Sequence, residues 1–192
     1  MWEYGVGIPD ELFIRTDVPM TKQEVRAVII SKLRLKKSHT VWDIGAGTGS
    51  VSIETARVCS QGEVYSIDSN EEALRLVKEN AKVFGVSNIK TLHGQAPLVL
   101  KDLPKPDRIF IGGSGEELAD ILKVCVDKIE SPGVIVLSSI TLDSIYLSQQ
   151  FFKEQRIPWE VVCINIARSK QAGAKTMMIA QNPIYVLSAE VK

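Results

Sequence analysis

A chain of 192 residues, 45% of them hydrophobic, can bury a sizeable core, and 23 Lys+Arg against 23 Asp+Glu leave it without formal net charge. That balance weighs against a nucleic-acid binder, which neutralises phosphates with a basic excess. No apolar run approaches the roughly 18 residues that a membrane-spanning helix needs. Positions 1–9 also lack the pattern of a secretory leader, so a cytoplasmic protein of one domain, 1–192, with an N-terminal arm over 1–20, is expected.

The arm contains proline and aromatic residues and has no periodicity. Thr21 and Glu24 then fit a capping box, and Val25, Val28, Ile29 and Leu33 follow at helical spacing. A strand is expected over 40–44, a helix opening from the glycines after it and running to about 58, and a second strand over 63–68. Ser69 and Glu72 repeat the capping-box pattern before a stripe of Ala73, Leu74, Val77, Ala81 and Phe84, with Gly85 placed to end that helix.

Further strands are expected over 88–93, 108–111, 134–138 and 159–167, with a short helix over 96–103 and longer ones over 116–129 and 142–155. Residues 168–175 read as a small basic loop, and 176–180 with 184–188 as a last, broken strand. Alternating strands and helices imply a parallel sheet covered on both faces. The last two strands have only about eight loop residues between them, too few for a parallel crossover, so they should form an antiparallel hairpin at the sheet edge. Cys59, Cys125 and Cys163 lack metal-ligand spacing and read as reduced core thiols. With only His39 and His93 present, no histidine metal site is expected.

The chemistry-bearing stretch is Val41-Trp42-Asp43-Ile44-Gly45-Ala46-Gly47-Thr48-Gly49, with Asp68 closing the next apolar run. A glycine turn that opens a helix offers free N–H groups to an anion. An acid at the end of the following strand can accept hydrogen bonds from a ribose diol. The dinucleotide fingerprint fails, because its third glycine would fall on Ser50. The D-x-G-x-G-x-G pattern instead resembles the first motif of class I S-adenosylmethionine-dependent methyltransferases, whose ribose acid matches Asp68. Asp43 either orients the methionine amino group or anchors the turn through backbone N–H groups. Asp68 either binds the ribose or caps the next helix. Gln95 and Ala96 follow the third strand, where such enzymes recognise adenine; an Asp is frequent at the position of Gln95. The (N/D)-P-P-(Y/F) motif of amino-methylating enzymes is missing from the end of the fourth strand, which reads Ile111-Gly112-Gly113-Ser114-Gly115.

Gly7-Ile8-Pro9-Asp10-Glu11-Leu12-Phe13, Met20-Thr21-Lys22-Gln23-Glu24-Val25-Arg26, Gly112-Gly113-Ser114-Gly115, Asn165-Ile166-Ala167-Arg168 and Thr176-Met177-Met178 extend the likeness along nearly the whole chain. Together they resemble the cobalt-precorrin C(15)-methyltransferase (decarboxylating) family of anaerobic cobalamin biosynthesis. The resemblance implies a seven-stranded, mostly parallel Rossmann-like sheet with an antiparallel C-terminal hairpin, and a homotetramer. It implies S-adenosylmethionine as cofactor and a tetrapyrrole as substrate, methylated at C(15) and decarboxylated at the C(12) acetate. Cofactor contacts carry over to Thr21, Gly45, Ala46, Gly47, Thr48, Gly49, Asp68 and Ala96.

No catalytic side chain is singled out by this chemistry. A sulfonium methyl is already electrophilic, so alignment of the reacting carbon within about 3–3.5 Å supplies much of the rate. A conjugated macrocycle can act as the electron sink for decarboxylation. Its peripheral carboxylates need cations, for which Arg168, Lys170, Lys175, Lys22 and Arg26 are candidates, with Gly113 and Ser114 at the substrate side. Ordinary solvated surface charge is the alternative for each cation. The competing functions are methylation of tRNA or of a protein side chain, and a non-catalytic cofactor-binding module.

Overall fold

The computed structural model of the protein describes residues 2–192. Its strands in chain order are β1 (Val41–Ile44), β2 (Val64–Asp68), β3 (Ile89–His93), β4 (Arg108–Ile111), β5 (Gly133–Ser139), β6 (Trp159–Ile164), β7 (Ala167–Ala172), β8 (Lys175–Ala180) and β9 (Ile184–Val191). The helices are α1 (Gln23–Leu33), α2 (Ser50–Val58), α3 (Glu71–Phe84), α4 (Leu118–Lys128) and α5 (Leu142–Glu154). Seven strands form one sheet in the order β3-β2-β1-β4-β5-β9-β6, and β7 and β8 form a separate ribbon.

The short apolar runs are buried on both sides, as parallel strands covered by helices must be. In β4, Ile109 and Ile111 face a core shared with Leu118, Ile121, Leu122 and Cys125, while Phe110 faces Val25, Ile29 and Val136. A period of two thus feeds two cores from one strand. The N-terminal arm closes a third cluster, in which Ile8 and Phe13 pack on Ile53 of α2 and Phe84 of α3. Strands β1 to β5 pair in parallel, with Ile44 beside Ile67 on one side and beside Ile111 on the other. The strand order reverses at β1, so the carboxyl ends of β1, β2 and β4 open a crevice there.

Several expectations need correction. The antiparallel strand is not at the edge: β9 inserts between β5 and β6 and is antiparallel to both. Residues 168–175 are not a loop, because most of them belong to the β7–β8 ribbon, turned at Gly173. Thr21 does not cap α1; Lys22 holds that position without a side-chain cap, and Thr21 gives its backbone carbonyl to Arg26. At α3 the cap is Asn70, whose side chain accepts from Glu72 N at 2.9 Å, rather than Ser69. Gly85 ends that helix in the left-handed region, as the spacing predicts. The helix expected over 96–103 is a single 3-10 turn, Leu98–Leu100. Cys59 and Cys125 are buried, but Cys163 is exposed on β6.

Candidate active site

The crevice holds a cleft of about 370 Å³. Its walls come from Val18, Pro19 and Thr21 of the arm, Gly45, Ala46 and Gly47 of the turn, and Asp68, Ser69 and Asn70 after β2. Gln95 and Ala96 after β3, with Gly113 and Ser114 after β4, complete it. Seven of the ten expected cofactor residues therefore line one cavity, as do both residues expected at the substrate side of β4.

The turn is held from below. Gly45 N and Ala46 N both donate to Ile67 O, at 2.9 and 3.1 Å. Gly45 (φ 75°) lies so close to the loop after β4 that a Cβ would stand 2.5 Å from Gly113 N. Gly47 (φ 55°) lies under the arm, where a Cβ would stand 2.5 Å from the Pro19 carbonyl oxygen. Only glycine meets both demands, positive φ and close backbone approach. The first N–H groups of α2, beginning at Ser50, point from this turn without helical partners.

Asp68 serves the turn and the next helix at once. Its Oδ2 accepts from Gly47 N at 2.9 Å, and its Oδ1 from Asn70 N at 2.9 Å. A carboxylate has about four lone-pair sites, so two remain for hydroxyl donors from the cleft.

Asp43 is not among the residues lining the cleft. It is buried behind the turn, where Oδ2 accepts from Ser52 Oγ, itself 2.6 Å from Ser66 Oγ. Burial pushes its carboxyl up to about 7, with the Ser52 hydrogen bond opposing and the Asp68 charge adding to the rise. Asp43 Oδ1 and Thr48 Oγ1 have no hydrogen-bond partner among the described residues. Thr48 and Gly49 also lie outside the lining; Thr48 O accepts from Asn80 Nδ2 at 3.0 Å, and Gly49 packs on Val77.

The expected cations are placed unequally. Contrary to expectation, Arg26 is fully buried and cannot meet a substrate directly. It is bound to Glu54, Asp10 and two backbone carbonyls. Arg168, at the base of the ribbon, is half-buried against Glu24 (Nε to Oε1, 3.0 Å) and Asp10 (3.3 Å). That guanidinium holds the Glu24 carboxyl below its ordinary value. Lys22 sits at the start of α1 outside the cleft lining, and Lys170 and Lys175 are exposed on the ribbon. His93 donates from Nε2 to Ser69 O, 3.0 Å away, on the surface. Local patterns do not reveal the Val18–Pro19 wall; only its place between two resemblance-bearing segments points to it.

Residues 11–190 match the family described as the precorrin methyltransferase domain. The chain belongs to this family. A probable cobalt-precorrin-6B C(15)-methyltransferase (decarboxylating) from Pyrobaculum calidifontis is 46% identical over 192 residues, covering 98% of each chain. The cobalt-precorrin-6B C(15)-methyltransferase (decarboxylating) of Salmonella typhimurium is 34% identical, covering 94% of each chain. Among solved structures, a precorrin-6y C5,15-methyltransferase from Geobacter metallireducens superposes with a TM-score of 0.91 at 39% identity, covering 96% of this chain and 98% of that one. A precorrin 8w decarboxylase from Methanobacterium thermoautotrophicum gives 0.89 at 32% identity, covering 95% and 98%. A tRNA (m1A58) methyltransferase from Aquifex aeolicus, 19% identical with a TM-score of 0.75 over 94% of this chain and 73% of that one, shares the fold alone. The family match thus runs from the second half of the arm through the crevice and the ribbon, and the fold is the Rossmann-like methyltransferase sheet.

Proposed function

We propose that this precorrin methyltransferase-family protein methylates C(15) of a cobalt-precorrin with S-adenosylmethionine and decarboxylates the C(12) acetate side chain, in anaerobic cobalamin biosynthesis. The observation that carries the reading is the joined unit of glycine turn and Asp68 at the strand-order reversal, facing one continuous cleft. The names of relatives 34–46% identical over nearly the full chain support the substrate class.

S-adenosylmethionine supplies, when bound, an electrophilic sulfonium methyl group. The residues fit such a ligand: the turn and the start of α2 would hold its carboxylate, Asp68 its ribose, and Gln95 with Ala96 its base. Thr21 would close the arm side. Asp43, Thr48 and Gly49 would act from behind, by fixing the turn. The chain's task is then alignment. The loop after β4, small at Gly113 and Ser114, would admit the flat macrocycle, and Arg168 with Lys22 would face its carboxylates. Decarboxylation asks the chain to place the departing carboxylate and limit its solvation.

The proposal includes a homotetramer working in the cytoplasm. Met177, Met178 and Ile179 expose an apolar strip on β8 of the kind that assemblies cover. Among the described residues no helix is long and apolar enough to cross a membrane. The decisive experiment is turnover with S-adenosylmethionine and the cobalt-precorrin, followed by mass spectrometry. Gain of one methylene and loss of one carbon dioxide should appear together, and failure of both overturns the reading. Sedimentation tests the assembly.

A further inference from the structure

Arg26 is a large, charged side chain with no exposed surface. A guanidinium has five N–H donors, and this one makes four hydrogen bonds. Nε donates to Glu54 Oε1 at 2.7 Å, and Nη1 to Asp10 Oδ1 at 3.2 Å and Thr21 O at 2.6 Å. Nη2 donates to Ile8 O. The two carbonyls bound, Ile8 and Thr21, are the ends of one segment of the arm. Arg26 therefore closes the neck of a loop over 8–21. Glu54 strengthens the neck by accepting from Gly7 N and Ile8 N at 2.8 and 2.9 Å.

The middle of the loop is pinned separately. Asn80 of α3 accepts from Ile14 N at 2.8 Å, and its amide donates to Ile14 O and Thr48 O. Between this pin and the neck lie Val18 and Pro19, which line the cleft. The Pro19 carbonyl sits over Gly47 closely enough to exclude a Cβ. Ser50 Oγ at the start of α2 also donates to Thr21 O, at 3.4 Å. Val18, Pro19 and Thr21 of the loop thus form one wall of the cleft, facing Gly45–Gly47 of the turn.

A buried ion pair is a weak means of stabilising a fold, since apolar residues of similar volume often do as well. It is a strong means of fixing geometry, because the planar fork dictates where its acceptors stand. We propose that Arg26 is a positioning residue for methyl-donor binding, holding the Val18–Thr21 wall at the distance from Gly47 that the bound ligand requires. The inference rests on the methyltransferase reading above. Asp10 also bonds Arg168, so the same loop is tied to the ribbon that would meet the substrate.

The test uses the full chain, S-adenosylhomocysteine as probe, calorimetry, and amide hydrogen exchange read by mass spectrometry. Two variants are compared: Arg26→Lys, and Arg26→Met with Glu54→Gln, which leaves no lone buried charge. In either folded variant, exchange over residues 14–21 should quicken while β4 and β5 keep their protection. Affinity for S-adenosylhomocysteine should fall at least about tenfold, the scale of one charge-assisted hydrogen bond. In turnover, KM for S-adenosylmethionine should rise more than kcat falls, a split that general destabilisation does not produce. Parental loop exchange and parental affinity in a folded variant overturn the proposal. If both variants unfold, Asp10→Asn leaves the Arg26–Glu54 pair whole: faster loop exchange with weaker binding supports the assignment, and parental values overturn it. A parent that does not bind S-adenosylhomocysteine sinks the methyltransferase reading instead, and ligand-free exchange still decides whether Arg26 anchors the loop.

Discussion

Gly47 donates its backbone N–H to Asp68 Oδ2 across 2.9 Å, so the glycine turn and the strand-end acid form one hydrogen-bonded unit. The carboxylate that would bind a ribose also fixes the backbone that would cradle the methionine carboxylate. Asp68→Ala should therefore weaken S-adenosylhomocysteine binding by roughly 1–3 kcal/mol, from unpaired ligand hydroxyls and a freed turn N–H. Asp68→Asn keeps one acceptor oxygen and should fall between. Calorimetry decides the matter, and unchanged affinity in Asp68→Ala removes the ribose assignment.

Gly47→Val should nearly abolish cofactor binding while far-UV circular dichroism stays native. The structure gives two causes. A β-branched residue resists φ near 55°, and its Cβ would stand 2.5 Å from the Pro19 carbonyl. The loop over 8–21 must then lift from the turn, opening the cleft wall while both main cores stay intact. Gly47→Ala keeps the clash and should also bind weakly. Normal binding by Gly47→Val would show that loop and turn need not meet.

The contrast between legible and hidden parts follows from the range of the interactions. Strand β4 is bounded by Pro106 and Gly112 and is apolar after Arg108, so its ends match the expected 108–111. The turn, Asp68 and Ala96 belong to local patterns and meet in one cleft. In the ribbon, every residue but Arg168 is exposed, so no burial alternation marks β7 and β8. Insertion of β9 between β5 and β6 is a choice among pairings of equal local quality. The one hint is that β9 carries the apolar Val186 and Leu187, whereas β6 exposes Trp159, Glu160 and Cys163. Arg26 reads as a surface cation because its carboxylate partners lie 16 and 28 residues away.

Asp43 should make the protein lose stability as pH rises toward neutrality. Its carboxyl ionises near 3.8 when unfolded and near 7 in the fold. Between those values the folded state holds a proton that the unfolded chain has released, so stability falls from about pH 4 to about pH 7 and this contribution is level above. At about 1.4 kcal/mol per pH unit the loss reaches at most about 4 kcal/mol. Asp43→Asn keeps an oxygen for Ser52 and has no proton to lose. Urea denaturation at pH 5 and pH 8 should show the variant gaining on the parent at the higher pH. An equal difference at both pH values would mean that the buried carboxyl does not titrate in this range.

Arg168, proposed to face the carboxylates of an anionic substrate, lies outside the cleft lining, and its guanidinium is already engaged by Glu24 and Asp10. The pair is half open to solvent, and such pairs contribute only about 0–1 kcal/mol to stability. An incoming carboxylate can therefore replace Glu24 at little cost, and the two neighbours should act with opposite sign. Arg168→Ala should raise KM for the tetrapyrrole about tenfold, the scale of a lost charge-assisted bond, with S-adenosylhomocysteine affinity near parental. Arg168→Lys should recover only part, because an ammonium cannot present the two-pronged fork. Glu24→Gln removes the resident competitor and should lower KM. Steady-state kinetics at saturating methyl donor reads all three. If Arg168→Ala turns over the tetrapyrrole like the parent, Arg168 serves only to tie the ribbon to the arm. The clamp must then be sought at Lys22, where α1 begins beside the cleft wall formed by Thr21.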